Sequence, residues 1–450
     1  MKKMKRILAL ALTLTMVMAL AACGNSNQGA SSGSSSQGAA QSGGDAAQAG
    51  ITLWTYPIGD WGKEAEVKAL TDAFTADTGI PVSVEYLAYA DGDDKVNTAI
   101  TAGKAPDLVM EGPERLVANW GAAGYMVDLS DMLDDTDKAE IQESVMNACT
   151  AADGSVYEYP LVMTAHCMAI NLDAFKEAGA DQYIDLETRT WTTQDFQNAV
   201  KALYDHFGAT VGAVYCVGQG GDQGTRALVN NLHGGTFTDA EHTKYTWDDP
   251  KNIQALQELK DMDGIDYDAS IAGGDEIALF YQEVLKMAFC WNIAQQLNPN
   301  AADTGAGKTI NGQEIAFMSF PSETGAAQLQ GGIWGFGVFD NGDAQRIENA
   351  KTFIKWMADS EHTVDAVKTA TYFPVRSSAE GTDLSTIWAD NEIMDEYQIL
   401  MPSLGDYYQV TKGWAQARTS WWNMLQRVGA GDDIGETVAK FAAEANAAAG

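Results

Sequence analysis

The residues beyond position 50 alternate between strand-like and helix-like patterns, and this alternation constrains the fold more than any other feature of the chain. Residues 51–54 and the alternating segment Val82–Tyr86 predict two strands, and residues 108–110 form a third apolar run. Between the first two strands, Glu64–Thr78 predicts a helix whose apolar residues recur at spacings of three and four: Val67, Leu70 and Phe74. Strands that alternate with helices are typical of a parallel sheet covered by helices, so an α/β fold is expected.

The second half of the chain shows the same mixture of patterns. A capping box formed by Thr192 and Asp195 predicts the start of a helix, and residues 284–291 predict a short buried strand. Apolar or aromatic residues mark four predicted helices: Phe196, Val200, Leu203 and Phe207; Ile253, Leu256, Leu259 and Met262; Phe353, Ile354 and Met357; Trp414, Trp421 and Trp422. A body of about 400 residues exceeds what one compact core can hold, so two or three domains are expected.

The composition excludes several classes of partner. Hydrophobic residues make up 46% and charged residues 20% of the chain, which is ordinary for a globular protein. The formal net charge of −34 argues against nucleic acid and anionic lipid as partners. The acidity does not identify a cationic ligand, since solubility at a cell surface explains it equally well.

The cysteines and histidines give no sign of a metal site or another cofactor. Cys149, Cys167, Cys216 and Cys290 are widely spaced among apolar or small residues, which favours buried free thiols. An exported protein can also pair them, and the sequence does not decide between these alternatives. The five histidines do not show ligand spacing.

The first 23 residues form an export signal. Four basic residues, Lys2, Lys3, Lys5 and Arg6, precede an apolar run at 7–20 that is too short to be a comfortable membrane span. The exit, L-A-A-C at 20–23, resembles the lipobox of bacterial lipoproteins, which implies removal of residues 1–22 and a lipid on Cys23. The alternative is an ordinary secretory signal in which Cys23 falls by chance.

Residues 24–50 are almost entirely Gly, Ser, Ala, Gln and Asn. Such a segment buries too little apolar surface to offset the entropy of ordering it. We therefore expect residues 23–50 to be a lipid anchor and flexible linker that holds the body on the outer face of the cell membrane.

Five segments of the body resemble one known family in their order and spacing. They are F-T-A-D-T-G-I-P-V at 74–82, A-G-K-A-P-D-L with G-Y-M-V-D-L within 102–129, D-G-S-V-Y-E-Y-P at 153–160 followed by A-I-N at 169–171, F-C-W at 289–291, and 353–376 ending Y-F-P-V-R. Together they resemble the extracellular solute-binding proteins of ATP-driven (ABC) importers, in the branch that includes maltose-binding protein.

The resemblance implies a two-lobed α/β periplasmic-binding-protein fold of type II, with discontinuous lobes joined by hinge segments. The expected lobes are 51–162 with 322–372, and 163–321 with 373–446. In this family the lobes close on a solute and the closed form is recognised by the membrane permease, without any chemical reaction. The resemblance thus implies a monomer whose partners are a carbohydrate, the permease subunits and, through its lipid, the membrane.

Candidate ligand residues come from two arguments. Open α/β sheets bind ligands at the carboxyl ends of their strands, which selects two sets: Tyr56, Asp60 and Trp61 after the first strand, and Glu111 and Arg115 after the third. The resemblance adds residues that align with cleft positions or face the cleft: Thr164, His166, Asp222 within the glycine-rich loop 218–226, Trp291, Trp414 and Arg418. Trp334 is a further candidate, because the glycines of G-G-I-W-G at 331–335 let the backbone come close to a ligand.

Each candidate has a plainer alternative. A tryptophan or a lone histidine is more often a core residue, and the loops at Asp60 and Asp222 are also typical of solvated turns. Arg115 can pair with a surface carboxylate instead of a ligand. The glycines around Trp334 can allow the close approach of a neighbouring strand. An indole covers the apolar face of a sugar ring while polar groups bind its rim, so these residue types favour a carbohydrate.

Two other functions stay open from the sequence. The same scaffold can carry a glycerol-phosphate diester, a polyamine or a metal complex, although a phosphorylated ligand requires clustered Arg or Lys, and the candidate loops contain few. A secreted glycosidase would use two carboxylates, but with 62 acidic residues a count of pairs decides nothing. We expect a binding protein and no enzyme.

Overall fold

The computed structural model describes residues 49–89, 91–218, 222–298 and 304–450. The predicted export signal, Cys23 with its predicted lipid and the predicted linker up to residue 48 lie outside the described residues. Within the described ranges, no helix is both long enough and apolar enough to cross a membrane.

Strands from both halves of the chain build a six-stranded sheet with the strand order β11-β4-β10-β3-β1-β2. Strands β1, β2 and β3 are parallel, as predicted, whereas β10 pairs antiparallel with both β3 and β4, and β11 pairs antiparallel with β4. The bounds are β1 Ile51–Thr55, β2 Val82–Tyr86, β3 Leu108–Glu111, β4 Tyr159–Ala165, β10 Gly331–Val338 and β11 Phe373–Pro374.

Helices cover this sheet. The predicted helix is confirmed as α1, Glu64–Thr78, and it ends because Gly79 adopts a left-handed conformation with φ 73°. The other helices of this region are α2 Gly92–Thr101, α3 Pro113–Arg115 continued by a π-helix at Leu116–Gly121, α4 Asp135–Glu140, α5 Glu143–Cys149, α12 Ala344–Ala358 and α13 Thr363–Ala370. Phe74 of α1 packs edge-on against Phe353 of α12 at 5.0 Å, so elements distant in sequence share one core.

The second lobe contains two smaller sheets. One is antiparallel with the order β8-β5-β9, and the other pairs β6 and β7 in parallel. The strands are β5 Cys167–Asn171, β6 Gly212–Tyr215, β7 Ile265–Asp268, β8 Met287–Trp291 and β9 Ile315–Met318. The helices are α6 Leu172–Glu177, α7 Thr193–Phe207, α8 Asp222–His233, α9 Pro250–Asp261, α10 Gly273–Tyr281, α11 Ile293–Leu297, α15 Trp414–Gly429 and α16 Ile434–Ala449. A small hairpin and a helix precede α15: β12 Ser378–Ala379, β13 Thr382–Asp383 and α14 Glu392–Tyr397.

Most local predictions for the second half of the chain are confirmed. The capping box of Thr192 and Asp195 opens α7, and α12 and α15 carry the predicted apolar and aromatic residues. Two boundaries were wrong. Met262 is extended and lies just past α9, and the strand predicted at 284–291 begins only at Met287, because Glu283 turns the chain with φ 62° and leaves Val284 54% exposed.

The chain changes sheet at well-defined points. Strand β4 ends at Ala165 and β5 begins at Cys167, so the first passage is at His166, and the chain returns between Met318 and Gly331. The predicted lobe boundaries were wrong at two places. Residues 163–165 and β11 were assigned to the second lobe, but they belong to the six-stranded sheet, because residues 163–165 pair with β10 and β11 pairs with β4.

The cysteines of the described body are free thiols. Cys149, Cys167 and Cys216 are buried, as the sequence favoured, and Cys290 is half-buried. Burial in apolar surroundings raises the pKa of each of these thiols, so the reactive thiolate is disfavoured.

Candidate ligand-binding cavity

A cavity of about 480 Å³ lies between the six-stranded sheet's helices and the start of α15. Its volume falls within the range of pockets that hold small molecules. On one side it is lined by Asp93, Glu114, Arg115, Ala118 and Asn119, and on the other by Thr411, Gly413, Trp414, Ala415, Gln416 and Arg418. Polar groups on both walls therefore surround an aromatic ring, Trp414.

Arg115 organises the first wall. Its Nε donates to Asp93 Oδ1 at 2.7 Å and its Nη1 donates to Glu111 Oε1 at 2.6 Å. The guanidinium also lies over the ring of Tyr56, 5.0 Å from its centroid, and Tyr56 donates its hydroxyl to the same Asp93 oxygen at 2.5 Å. Bonds to two carboxylates and a stacked ring fix the orientation of the side chain, which preorganises this wall.

The local sequence explains how these groups meet. Strands β1, β2 and β3 are parallel, so their carboxyl ends share one edge, and Tyr56, Asp93 and Glu111 lie at or shortly after those ends. Pro113 then starts a helix at its first position, which brings Arg115 back over Glu111 one turn later.

Electrostatics distinguishes the carboxylates of this wall. Glu111 is 1% exposed, and burial raises its pKa to about 8, although Arg115 opposes the shift. Glu114 is half-buried and accepts a hydrogen bond from the Tyr407 hydroxyl at 2.9 Å. Burial raises the pKa of Tyr407 well above its ordinary value, so this hydroxyl stays a donor at physiological pH. The Tyr407–Glu114 bond joins this wall to the segment that precedes α15.

The second wall rests on a buried ion-pair network. Asp222 accepts from Arg418 Nε at 2.9 Å and from Arg418 Nη2 at 2.7 Å, and it also pairs with Arg226, which is fully buried. Burial alone would raise the pKa of Asp222, but the two guanidiniums lower it, so the carboxylate is ionised. Asp222 is 2% exposed and therefore acts by positioning Arg418 at the cavity.

Trp414 occupies the first position of α15 and is half-buried. The guanidinium of Arg226 lies 4.9 Å from its ring centroid, and the rings of Phe237 and Tyr408 pack against it at 5.9 and 5.6 Å. Gly413 before it has φ 77°, and a Cβ there would lie 2.7 Å from the Ala448 backbone, so only glycine gives this approach. The indole is held rigidly on one side and contributes to the cavity wall on the other.

Several predicted ligand residues lie elsewhere. Trp61 is buried and donates to Ala366 O at 3.0 Å, and Trp291 is 1% exposed and donates to Gln296 Oε1 at 2.8 Å. A fully covered ring presents no face for a sugar to stack on in this conformation, so the core interpretation describes Trp291 better. Asp60 forms an exposed ion pair with Lys63 at 2.7 Å, away from the cavity.

Three further candidates lie within or next to β4 and β10. Thr164 is buried in β4, and the half-buried Trp334 stacks on Tyr372 at 4.7 Å. His166, where the chain changes sheet, donates its backbone N–H to Gln330 O at 2.7 Å. Burial, with a contribution from Arg226, lowers the pKa of His166 to about 4, so its imidazole is neutral at neutral pH.

Sequence reasoning missed several lining residues and one secondary structure. Asp93, Glu114, Asn119, Thr411 and Gln416 were not predicted, and the segment from Asp222 is helix α8 rather than a loop; residues 219–221 lie outside the described ranges. Tyr56 and Glu111 were selected because they lie at the carboxyl ends of strands. Asp93 lies in the segment that follows β2, so the same criterion could have found it. No group of three or more His, Cys, Asp or Glu within the described ranges is arranged to hold a metal ion.

Residues 69–396 match the family of bacterial extracellular solute-binding proteins. The chain belongs to this family. A maltooligosaccharide ABC transporter solute-binding lipoprotein of Streptococcus pneumoniae is 27% identical over 128 residues, which are 28% of this chain and 29% of the relative's length.

Solved structures share the fold of this solute-binding protein. The cyclic α-maltosyl-1,6-maltose binding protein of Arthrobacter globiformis superposes with a TM-score of 0.72 at 18% identity, covering 89% of this chain and 98% of that one. The maltotriose binding protein of Thermus thermophilus superposes with a TM-score of 0.62 at 18% identity, covering 89% and 100%. The predicted fold class, a two-lobed α/β solute-binding fold, is confirmed.

Proposed function

We propose that this solute-binding protein captures a neutral oligosaccharide in the cavity between Arg115 and Trp414 and presents it to an ABC permease. The observation that carries the proposal is the pairing of a rigid, partly exposed indole with hydrogen-bonding carboxylates and guanidiniums around one cavity. A sugar needs both, because its ring has an apolar face and a rim of hydroxyls that donate and accept.

The charges of the lining favour a neutral ligand over the alternatives. Asp93 and Glu114 are balanced by Arg115 and Arg418, and each guanidinium is already bonded to a carboxylate. A phosphate diester would have to compete with Asp93 and Asp222 for these arginines, and a polyamine would have to compete with the arginines for the carboxylates. A sugar hydroxyl does not have to break these ion pairs. It can form hydrogen bonds with the carboxylate lone pairs and guanidinium N–H groups that the ion pairs do not use.

The same pairing argues against a glycosidase. Asp93 is bonded to Arg115 and Glu114 to Tyr407, so neither of these lining carboxylates stands alone as a general acid or nucleophile. The family consists of solute-binding proteins, and we infer binding and release without a chemical step.

Transport and anchoring rest on two supports. The matched pneumococcal relative is named as an ABC transporter lipoprotein for maltooligosaccharides, and the leader of this chain ends in L-A-A-C. We infer that Cys23 carries a lipid on the outer face of the membrane. We also infer that two lobes, one built on the six-stranded sheet and the other on the two smaller sheets, move about the passages between the sheets.

A thermal-shift screen of the maltooligosaccharide series, followed by small-angle scattering, tests the proposal. A sugar that binds only the folded protein raises its melting temperature, and a sugar that bridges the lobes lowers the radius of gyration by favouring the closed state. If no oligosaccharide raises the melting temperature while a phosphate diester or a polyamine does, the carbohydrate assignment fails. If an oligosaccharide binds and the radius of gyration is unchanged at saturation, the closing mechanism fails.

A further inference from the structure

Tyr89 is an exposed aromatic residue beside the wall that Arg115 organises. The residue is 50% exposed and lies in the segment that follows β2. The guanidinium of Arg115, which lines the cavity at Trp414, lies 5.6 Å from the centroid of the Tyr89 ring. A solute that reaches Arg115 from the side of Trp414 therefore lies next to an open aromatic ring.

The ring of Tyr89 has one covered face and one open face. It stacks on the ring of Tyr56, with 5.3 Å between the centroids and 29° between the planes. Tyr56 is fully buried, and α2 passes close to it: a Cβ at Gly92 would lie 2.7 Å from the Tyr56 ring. Tyr56 therefore supports Tyr89 and cannot itself contact a ligand in this conformation, whereas Tyr89 presents its other face to solvent.

The neighbours of Tyr89 place it on a concave surface rather than on the outside of the lobe. Burial raises the pKa of Tyr89, and the carboxylates of Glu111 and Glu114 raise it further. Arg115 lowers this pKa, and Tyr372, from the segment before β11, raises it. A half-exposed ring that is surrounded by groups from β3, α3 and this segment lies on the wall of a cleft.

The cleft continues beyond Tyr89. Tyr372 stacks on Trp334 at 4.7 Å and borders a further cavity of about 370 Å³. Both lobes line this cavity, the first with residues 59 and 370–372 and the second with residues 294, 297 and 298. Tyr89 therefore lies between two spaces large enough for small molecules: the cavity at Trp414, which it borders through Arg115, and this further cavity.

The arrangement of rings around Arg115 suits a chain of sugars better than a single sugar. Each sugar ring has an apolar face that an aromatic side chain can cover by dispersion. Trp414 and Tyr89 offer two such surfaces near one guanidinium. A guanidinium has five N–H groups, more than the hydrogen bonds from Arg115 to Asp93 and Glu111 use, so it can donate to hydroxyls of two neighbouring sugar units.

We propose that Tyr89 stacks a second sugar unit beside the one at Trp414, so that the site selects a chain of at least two units over a monosaccharide. The inference rests on the proposed function, because it extends the same site. It assigns the preference for chain length to one side chain, Tyr89.

Calorimetric titration of the full chain with maltotetraose is the first test. Tyr89→Ala removes the ring, and we expect the dissociation constant to rise about fivefold or more. Tyr89→Phe keeps the ring and should recover most of the affinity that Tyr89→Ala loses. Tyr125→Ala is the matched control, because Tyr125 is 46% exposed in the same lobe and lies outside the lining of the cavity at Trp414. We expect the control to change the dissociation constant less than about twofold.

Glucose separates stacking from a purely structural role of Tyr89. The guanidinium of Arg115 contacts the Tyr89 ring, so Tyr89→Ala can also weaken binding by releasing Arg115. That effect would raise the dissociation constants of glucose and maltotetraose by the same factor, because both sugars bind beside Arg115. Loss of a second stacking position instead weakens maltotetraose and leaves glucose within about twofold. Titrations followed by tryptophan fluorescence measure both constants, and equal factors would overturn the proposal.

NMR saturation transfer measures the contact itself, including the case in which glucose binds too weakly to titrate. The protein is deuterated except for its tyrosine rings, and transfer from these rings to bound maltotetraose is recorded. We expect weaker transfer in Tyr89→Phe, which lacks this one labelled ring, and unchanged transfer in Tyr125→Phe. Transfer that is the same in Tyr89→Phe as in the parent protein would show that the sugar does not contact Tyr89, and the proposal would be wrong.

The failure of this proposal is distinguishable from the failure of the proposed function. If maltotetraose binds and Trp414→Ala weakens it but Tyr89→Ala does not, only the second stacking position is disproved. Binding of glucose without binding of maltotetraose would also overturn the preference for a chain. If no member of the maltooligosaccharide series binds, the carbohydrate assignment fails and this inference fails with it.

Discussion

Truncation of Trp414 to alanine should remove most of the sugar affinity while leaving the protein folded. The indole is half-buried: Phe237, Tyr408 and the Arg226 guanidinium at 4.9 Å cover one side, and the rest borders the cavity. Losing an aromatic anchor in a ligand site costs about 1–3 kcal/mol, so the dissociation constant should rise roughly 5- to 150-fold. Loss of the contact with Arg226 should lower the free energy of unfolding by about 0.5–2 kcal/mol.

Titration calorimetry with the oligosaccharide found in the thermal-shift screen measures the first quantity, and urea denaturation measures the second. Trp422→Ala is the control, because Trp422 is also half-buried on α15 but does not line the cavity. We expect the control to bind like the parent protein. An unchanged dissociation constant for Trp414→Ala, or equal losses in both variants, would refute the assignment of Trp414 as the stacking residue.

Three further changes test other parts of the account. Trp291→Ala should destabilise the fold by about 3–5 kcal/mol in urea denaturation, because the ring is a covered core residue; a fully stable variant that has lost only sugar affinity would contradict this. Asp222→Asn should cost about 3–5 kcal/mol near neutral pH by leaving Arg226 and Arg418 without their carboxylate. Because the pKa of Asp222 is lowered in the folded state, the stabilisation it provides is complete above the unfolded pKa of about 3.9 and is lost as the pH falls through the folded pKa. The free energies of unfolding of the parent and the variant should therefore converge in acid. A difference between them that does not change with pH would show that the charge of Asp222 is not involved. Cys23→Ser should release the protein from the membrane fraction, and mass spectrometry of the parent should find a lipid on Cys23; an unlipidated parent chain that starts elsewhere would exclude the anchor.

Patterns that depend on near neighbours predicted much of the fold. The apolar spacing of α1 and the capping box before α7 are local, so the sequence alone sufficed to place both helices. The parallel arrangement of β1, β2 and β3 followed from the alternation of strands with helices. The family resemblance placed β10 in the first lobe but β11 in the second. The antiparallel pairing of neither strand was predicted, because no local pattern reports a pairing between residues so far apart in the chain.

The candidate site was predicted only in part. Glu111 and Arg115 could be found from the end of a strand, and Trp414 and Arg418 from the family resemblance. The role of Asp222 could not, because its partner Arg418 is 196 residues away and only the folded chain brings them together. The burial of Trp291 likewise depends on contacts with α10 and α11, among them Phe280 at 5.3 Å, which composition does not reveal.

A crystal structure of the full chain with its oligosaccharide bound would show whether the cavity at Trp414 holds the ligand. We expect a sugar ring against the exposed part of the Trp414 indole, with hydroxyl groups within about 2.7–3.2 Å of side-chain atoms of Asp93, Glu114, Arg115 or Arg418. A sugar that is bound elsewhere, with the cavity at Trp414 unchanged, would contradict it.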